Sequence, residues 1–473
     1  MLPFSFASID TTVLSPLKGM ETVDSASATA DHLCVLVHGL WGNPSHLKYL
    51  ATALRESHPE LHVLVAKRNS GSFTYDGIEL GGERVTREIE ETLEELAKSG
   101  QTIKKLSVVG YSLGGLVARY AIGLLYHNGW FDKLEPVNFT TFATPHLGVR
   151  TPLNGYHNHI WNVLGARTLS TSGRQLFTID SFRDTGRPLL SVLADPDSVF
   201  IKALAQFKHR SLYANVVNDR SAVYYTTGIS RTDPFVDTSA LRINYVKGYE
   251  PVVIDPDNPV SAKENRLLPS FTQRLAGTSK TALSKVPLAA FLVLFIPVGA
   301  VLFLSNSLVQ SFLSRKRIRL HEEGKAGIGA GMYRIPLMAR AERVFENMNH
   351  AQSSEYLSAG GEGLSSSASS PQSARRQRKS SSQSVEKSAS AAEDGDASAP
   401  SPTQTQRLEF PTLALTKEQF EMIDALDTVG WRKYPVYIHN VAHSHAAIIV
   451  RRQMKMFDEG KIVVRHWLSE FEV

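Results

Sequence analysis

The chain of 473 residues contains a single cysteine, Cys34, which excludes an internal disulfide and any metal site built on several thiolates. Cys34 lies inside the apolar run LCVLV, where a thiol packs as a small hydrophobe, and so sparse a use of cysteine fits a cytosol-facing protein. No HEXXH motif occurs, so a zinc hydrolase of that type is not expected, and neither a metal nor another cofactor is called for. Lys and Arg number 51 against 46 Asp and Glu, a net charge of +5 with a pI near 9.0. Charges of both signs are interspersed, and no basic stripe with interleaved aromatics appears, so nucleic acid is not an expected partner. The opening stretch MLPFSFASIDTTVLSP has no basic n-region followed by an apolar h-region, and no secretory leader is expected.

Residues 32 to 130 alternate short β-branched runs with helical patterns, the rhythm of a parallel sheet with crossover helices. Strands are expected at HLCVLVH, at 61 to 67, at 106 to 112, at 137 to 145 and at 210 to 219. Between them, Val85, Ile89, Leu93 and Leu96 recur at helical spacing over 82 to 98, and a helix is expected over 113 to 126. Residues 146 to 210 carry no strand runs and suit a cap over the sheet edge, in which Trp161, Leu164 and Phe177 could cover an acyl groove or serve as plain core. Val286 to Ser314 has no charged residue and opens almost wholly apolar, about the length needed to enter a bilayer. Residues 351 to 407 hold 17 serines but only four large apolar residues, too few to offset chain entropy, so this stretch is expected to be a disordered linker. Helical and strand patterns resume after it, with a helix from KEQFEMIDALDTV, a strand over 433 to 439, and a helix through AAIIVRRQMKMF that stops at Gly460.

The organisation expected is therefore an N-terminal arm (1–30), a first core part (31–254) including the cap, a linker (255–285), an apolar membrane-embedded segment (286–314), a basic amphipathic segment (315–350), the Ser-rich linker (351–407) and a second core part (408–473) that completes the sheet.

The motif with most chemistry in it is Gly110-Tyr111-Ser112-Leu113-Gly114, set between an apolar strand and a helix. A sharp turn there lifts the Ser112 hydroxyl above the sheet edge, and the helix start supplies amide N–H groups to an oxyanion. HGLWG, from His38 to Gly42, ends the first strand and can offer the Leu40 amide to the same oxyanion, paired with the amide of Leu113. The His38 side chain is read as a structural hydrogen-bonding group. A serine at its ordinary pKa needs a base, and the base needs an orienting carboxylate, found later in the chain. Asp219 fits the acid, ahead of Asp180, Asp184 and Asp195 in the cap region and Asp233 and Asp237 beyond. His445 fits the base, with His443 as its alternative. A metal site on these two histidines is the rival reading, but no acidic ligand accompanies them.

Six motifs in this order, HGLWG, DGIELGGERV, VVGYSLGG, TFATPHLG, ANVVNDRSAVYY and HSHAAIIVR, resemble the fungal branch of the putative serine esterase/lipase family, over residues 31 to 250 and 410 to 473. The resemblance implies an α/β-hydrolase fold, a mostly parallel sheet with flanking helices and a cap. It also implies acyl-ester hydrolysis of lipids with Ser112 as nucleophile, since the family includes lipid-droplet phospholipases. TPHLG marks the family without an assigned catalytic role. The expected partner is a lipid substrate at a membrane or lipid-droplet surface, facing the cytosol, at droplets or the endoplasmic reticulum. A neutral-lipid or thioester hydrolase with the same triad, and a non-catalytic tether, are the alternatives.

If Ser112, Asp219 and His445 form one site, a single crossing by 286 to 314 would strand the histidine on the far side of the membrane. Pro297 and Gly299 interrupt the apolar run, and Lys280, Lys285, Arg315, Lys316, Arg317 and Arg319 flank it on both sides. The expectation is a re-entrant, monotopic hairpin or an interface-embedded helix with both ends cytosolic.

Overall fold

The computed structural model describes residues 30–149, 168–238, 241–262, 286–325 and 410–473, with backbone alone for 286–300, 302 and 303. The N-terminal arm, Trp161 and Leu164, and the Ser-rich linker lie outside the described residues.

Among the described residues, six strands form one parallel sheet in the order β2-β1-β3-β4-β5-β8. They are β1 (His32–Val37), β2 (Leu61–Val65), β3 (Lys105–Tyr111), β4 (Glu135–Phe142), β5 (His209–Asn215) and β8 (Arg432–Val436). Strands buried on both faces read as continuous apolar runs rather than alternating ones, and every residue of β1 is buried. The last strand comes from the far end of the chain, since Ser211 to Asn215 of β5 pair in register with Arg432 to Val436 of β8. Residues 252 to 254 then close the β8 edge: the Ile254 amide donates to the Pro435 carbonyl, and the Tyr437 amide to that of Val252. A hairpin of β6 (Leu241–Ile243) and β7 (Val260–Ala262) stands apart from the sheet.

Helices cover both faces. One layer holds α2 (Ile78–Lys98), α3 (Leu113–His127) and α9 (Lys417–Asp427), packed with α4 (Ser170–Leu176), α5 (Leu189–Leu193) and α6 (Val199–Ala205) into a cluster that includes Leu116, Phe139 and Phe177. Phe177 is thus core. Burial on the opposite face joins α1 (Lys48–Ser57) to α11 (Asp458–Ser469) through Leu50, Leu54, Val463 and Trp467. This is the α/β-hydrolase arrangement that the motifs implied.

Two expectations need correction. The helix through 446 to 457 with Gly460 as its stop is not formed: the chain makes a short α10 (Ser444–Ala447) and a 3₁₀ turn, Lys455–Phe457, and Gly460 lies inside α11. A Cβ on Gly460 would stand 1.9 Å from the Ala447 carbonyl oxygen, so its glycine serves a close approach of two backbones rather than a helix end. Of the two forms expected for the apolar segment, a re-entrant hairpin or an interface-embedded helix, the hairpin is not formed. A single helix, α8 (Val286–Glu322), runs unbroken through Pro297 and Gly299 into the basic segment; one proline removes only one bond from so long a ladder. Among the described residues no helix is long and apolar enough to cross a membrane.

Candidate active site

The turn from β3 into α3 carries Ser112 at φ 55° and ψ −129°, a region side chains with a Cβ rarely enter and which persists only where surrounding structure enforces it. What enforces it is crowding that only glycine relieves. A Cβ on Gly110 would meet the Gly115 Cα at 2.3 Å, and one on Gly114 would meet the Val37 carbonyl oxygen at 2.2 Å. The strand and helix therefore pinch together, and the serine is pushed out at the C-terminal edge of the sheet, where open α/β sheets place their ligands.

Asp219 and His445 arrive on loops after β5 and β8. His445 Nε2 stands 2.9 Å from Ser112 Oγ, and its Nδ1 2.8 Å from Asp219 Oδ2. A neutral imidazole with its proton on Nδ1 donates to the carboxylate and accepts from the serine hydroxyl. The structure brings these three side chains together across 333 positions of sequence. His443 occupies the N-cap position of α10, makes no side-chain cap bond and is exposed. Three of the five rival carboxylates are engaged elsewhere: Asp180 accepts from the Leu189 amide, Asp195 pairs with Arg187, and Asp233 accepts from the Phe235 amide.

Asp219 is buried and fully engaged. Its Oδ1 accepts from the amides of Ser221 and Ala222, each at 2.9 Å, and its Oδ2 also accepts from the Asn215 side chain at 3.0 Å. Burial, the largest single influence, pushes its carboxyl pKa up, but the charge and hydrogen bond of His445, with the Ala222 and Asn215 donors, hold it below the ordinary value. The two loops are stitched to each other as well. Ser444 Oγ donates to the Val217 carbonyl at 2.7 Å, and the Tyr111 hydroxyl donates to the His445 carbonyl at 2.9 Å. Asn215 and Tyr111 are neighbours of the candidate site that sequence reasoning missed. Each sits within four positions of a residue that was singled out, but nothing in their types announces a role.

On the other side of Ser112 lies the loop His38 to Gly42. Gly39 is so close that a Cβ there would meet the Ser112 Cβ at 2.7 Å. The Trp41 amide donates to Thr74 Oγ1 at 3.1 Å, and its indole N–H to the Tyr75 hydroxyl at 2.7 Å, so the 71–75 turn props this loop. The His38 ring bonds the Gly39 carbonyl and Ser70 Oγ, a structural use. Leu113 opens α3, and the first amides of a helix have no intrahelical acceptor. TPHLG proves to be a bracket: the Leu147 amide donates to Thr226 Oγ1, and the Gln419 side chain to the Leu147 carbonyl. It ties the end of β4 to α7 (Tyr224–Thr227) and α9.

Residues 27–232 match the model of the family described as Putative serine esterase (DUF676). Putative lipase ROG1 of Saccharomyces cerevisiae is 31% identical over 240 residues, 49% of this chain and 33% of that protein. Putative lipase C4A8.10 of Schizosaccharomyces pombe is 32% identical over 207 residues, 42% of this chain and 26% of that protein. The matched stretch thus spans a third or less of these relatives. Among solved structures, carboxyl esterase 2 of Tuber melanosporum overlaps 39% of this chain and 58% of its own at 14% identity, with a TM-score of 0.26. That family match, over residues 27–232, covers under half of the 473 residues.

Proposed function

We propose that the chain is a serine hydrolase that cleaves acyl esters of glycerophospholipids, at a cytosol-facing membrane or lipid-droplet surface. The observation that carries the reading is the line Asp219–His445–Ser112, at 2.8 and 2.9 Å, with the serine on a left-handed turn at the C-terminal edge of the sheet. In this reading His445 Nε2 takes the Ser112 proton as Oγ attacks the ester carbonyl, and Asp219 holds the ring and offsets its positive charge. The oxyanion meets the amides of Leu40 and Leu113. Collapse breaks the C–O bond to the lysophospholipid, which leaves with the proton from His445. Water, activated by the same ring, then releases the fatty acid from Ser112.

Purified protein presented with triglyceride droplets coated in phospholipid should release lysophospholipid and free fatty acid, and Ser112→Ala should abolish both and abolish labelling by a fluorophosphonate. Diacylglycerol as the mutant-sensitive product would make the substrate a neutral lipid. No mutant-sensitive product would leave a thioesterase or a tether.

A further inference from the structure

In α8 the usual sense of amphipathicity is reversed. A surface helix ordinarily turns its apolar stripe to the core and its polar residues to water. Here Ser307, Ser314 and His321, spaced by seven, are buried, while Leu308 is 75% exposed and Phe312 70%. Ser307, Ser314, Arg317 and His321 each have a partner on the hydrolase, while Gln310 Oε1 on the same face is buried without one. Ser307 Oγ donates to the Thr168 carbonyl, Ser314 Oγ to the Tyr75 carbonyl, and Arg317 grips Asp76 and the Ser72 carbonyl at 2.7 to 3.1 Å. His321 Nε2 stands 2.7 Å from Glu83. The seam fixes which face points out, and that face is apolar: Val301, Leu304, Leu308, Val309, Phe312 and Leu313 are all exposed.

We infer that residues 301 to 319 of α8 are a lipid-contacting plate, latched face-out to the hydrolase and seated on an anionic phospholipid surface. The inference rests on the proposed lipid hydrolase, and names the residues through which that enzyme meets its substrate phase. Three features favour lipid over a protein partner or a second copy. The outward stripe continues in sequence into the wholly uncharged run back to Val286, with no acidic residue before Glu322, whereas protein interfaces carry a polar rim. The same stripe runs on into exposed Arg315, Lys316 and Arg319, cations that complement anionic headgroups and that would repel the like end of a second copy. Finally, the seam lands on the 71–76 segment. That segment carries half-exposed Phe73 and props Trp41 beside the candidate oxyanion loop, so a plate lying in the interface sets the mouth of the site beside it.

The test is flotation of the full chain with vesicles of phosphatidylcholine plus phosphatidylserine and of phosphatidylcholine alone. Wild type should float, more so with phosphatidylserine. Leu308→Glu with Phe312→Glu should lower partitioning by about tenfold or more, with an unchanged melting temperature confirming the fold. Arg315→Glu with Lys316→Glu should remove the preference for phosphatidylserine. Ser112→Ala should float as wild type does; if it does so while wild type shows no hydrolysis, the plate stands and the enzymatic reading falls. Wild type that floats with neither vesicle, partitioning unmoved by the double glutamate variant, or a concentration-dependent dimer in sedimentation that the variant dissolves without any flotation, would each overturn the inference.

Discussion

Leu116 in α3 and Leu308 in α8 are the same residue type on long helices of one chain, and they meet opposite fates: the first is fully buried and the second three-quarters exposed. Around Leu116 the sheet and its helices pack apolar against apolar, and glycines let backbones touch. Around Leu308 the helix is held by hydroxyls, a guanidinium and an imidazole. Apolar surface usually drives a helix onto its domain by leaving water. α8 does the reverse, so its attachment rests on hydrogen bonds and ion pairs of modest net worth, and its apolar face remains free to be covered by something else.

The largest expected effect sharpens the core side of this contrast. Asp219→Asn keeps the shape of the acid, but its amide can present a donor where Nδ1–H needs an acceptor, favouring the wrong imidazole tautomer. Turnover of a soluble ester should fall by about 10⁴-fold with the urea midpoint little changed. A loss under tenfold would mean that Asp219 does not orient His445.

Next in size is a pH effect that the core owns. His32 and His466 are buried, and burial, the first cause for both, lowers their pKa to about 4. Lys105 adds to the lowering at His32, and His466 bonds the Tyr213 hydroxyl at 2.8 Å. The unfolded chain takes up these protons near pH 6.5 and the folded one only near 4. Stability from this source is therefore full above about 6.5 and falls as pH drops toward 4. Urea unfolding at pH 7 and pH 5 should show the fall, and a midpoint that rises toward pH 5 would contradict it.

How far each region was legible in sequence follows the same divide. The strand β1 could be read because a strand buried on both faces is a nearly continuous apolar run, and the turn at Ser112 because crowding demands glycine at 110 and 114. Asp219 and His445 could be named from their order and their place after strands. That they lie against each other depends on pairing of β5 with β8, a contact between distant segments that local pattern does not encode. Gly460 misled because one residue type answers two needs, helix ending and close approach. In α8 the apolar run was plain. Its polar seam was not, since Ser307, Ser314 and His321 announce a stripe only once the partners Thr168, Tyr75 and Glu83 are known.

Arg317→Ala probes the latch. Asp76 is fully buried and pairs with both Arg84 at 2.6 Å and Arg317 at 2.7 Å, so the variant removes one of two cations and leaves the carboxylate still paired. The expected cost is about 1–3 kcal/mol, localised rather than global: hydrogen exchange should quicken in α8 and in residues 71–76 but not in β3 or α3. Exchange that quickens through the sheet as well would show the helix to be part of the core, and the contrast between the two regions would fail.

The smallest effect, that of Leu308→Ala, is read against its core counterpart in the most direct comparison. Leu116→Ala removes a side chain from a fully packed layer and should cost about 2–5 kcal/mol, transfer and cavity together. Leu308→Ala removes the same atoms from water-facing surface and should change stability in solution by less than about 0.5 kcal/mol. Both follow from urea midpoints at constant slope. A second measurement separates an idle surface from one awaiting cover: with phosphatidylserine-containing vesicles present, the thermal midpoint of wild type should rise, because anything that binds only the folded state stabilises it, and Leu308→Ala should reduce that rise. Should Leu308→Ala cost more than about 1 kcal/mol in plain buffer, the residue is packed in solution, and the outward apolar face would not be there for a lipid to meet.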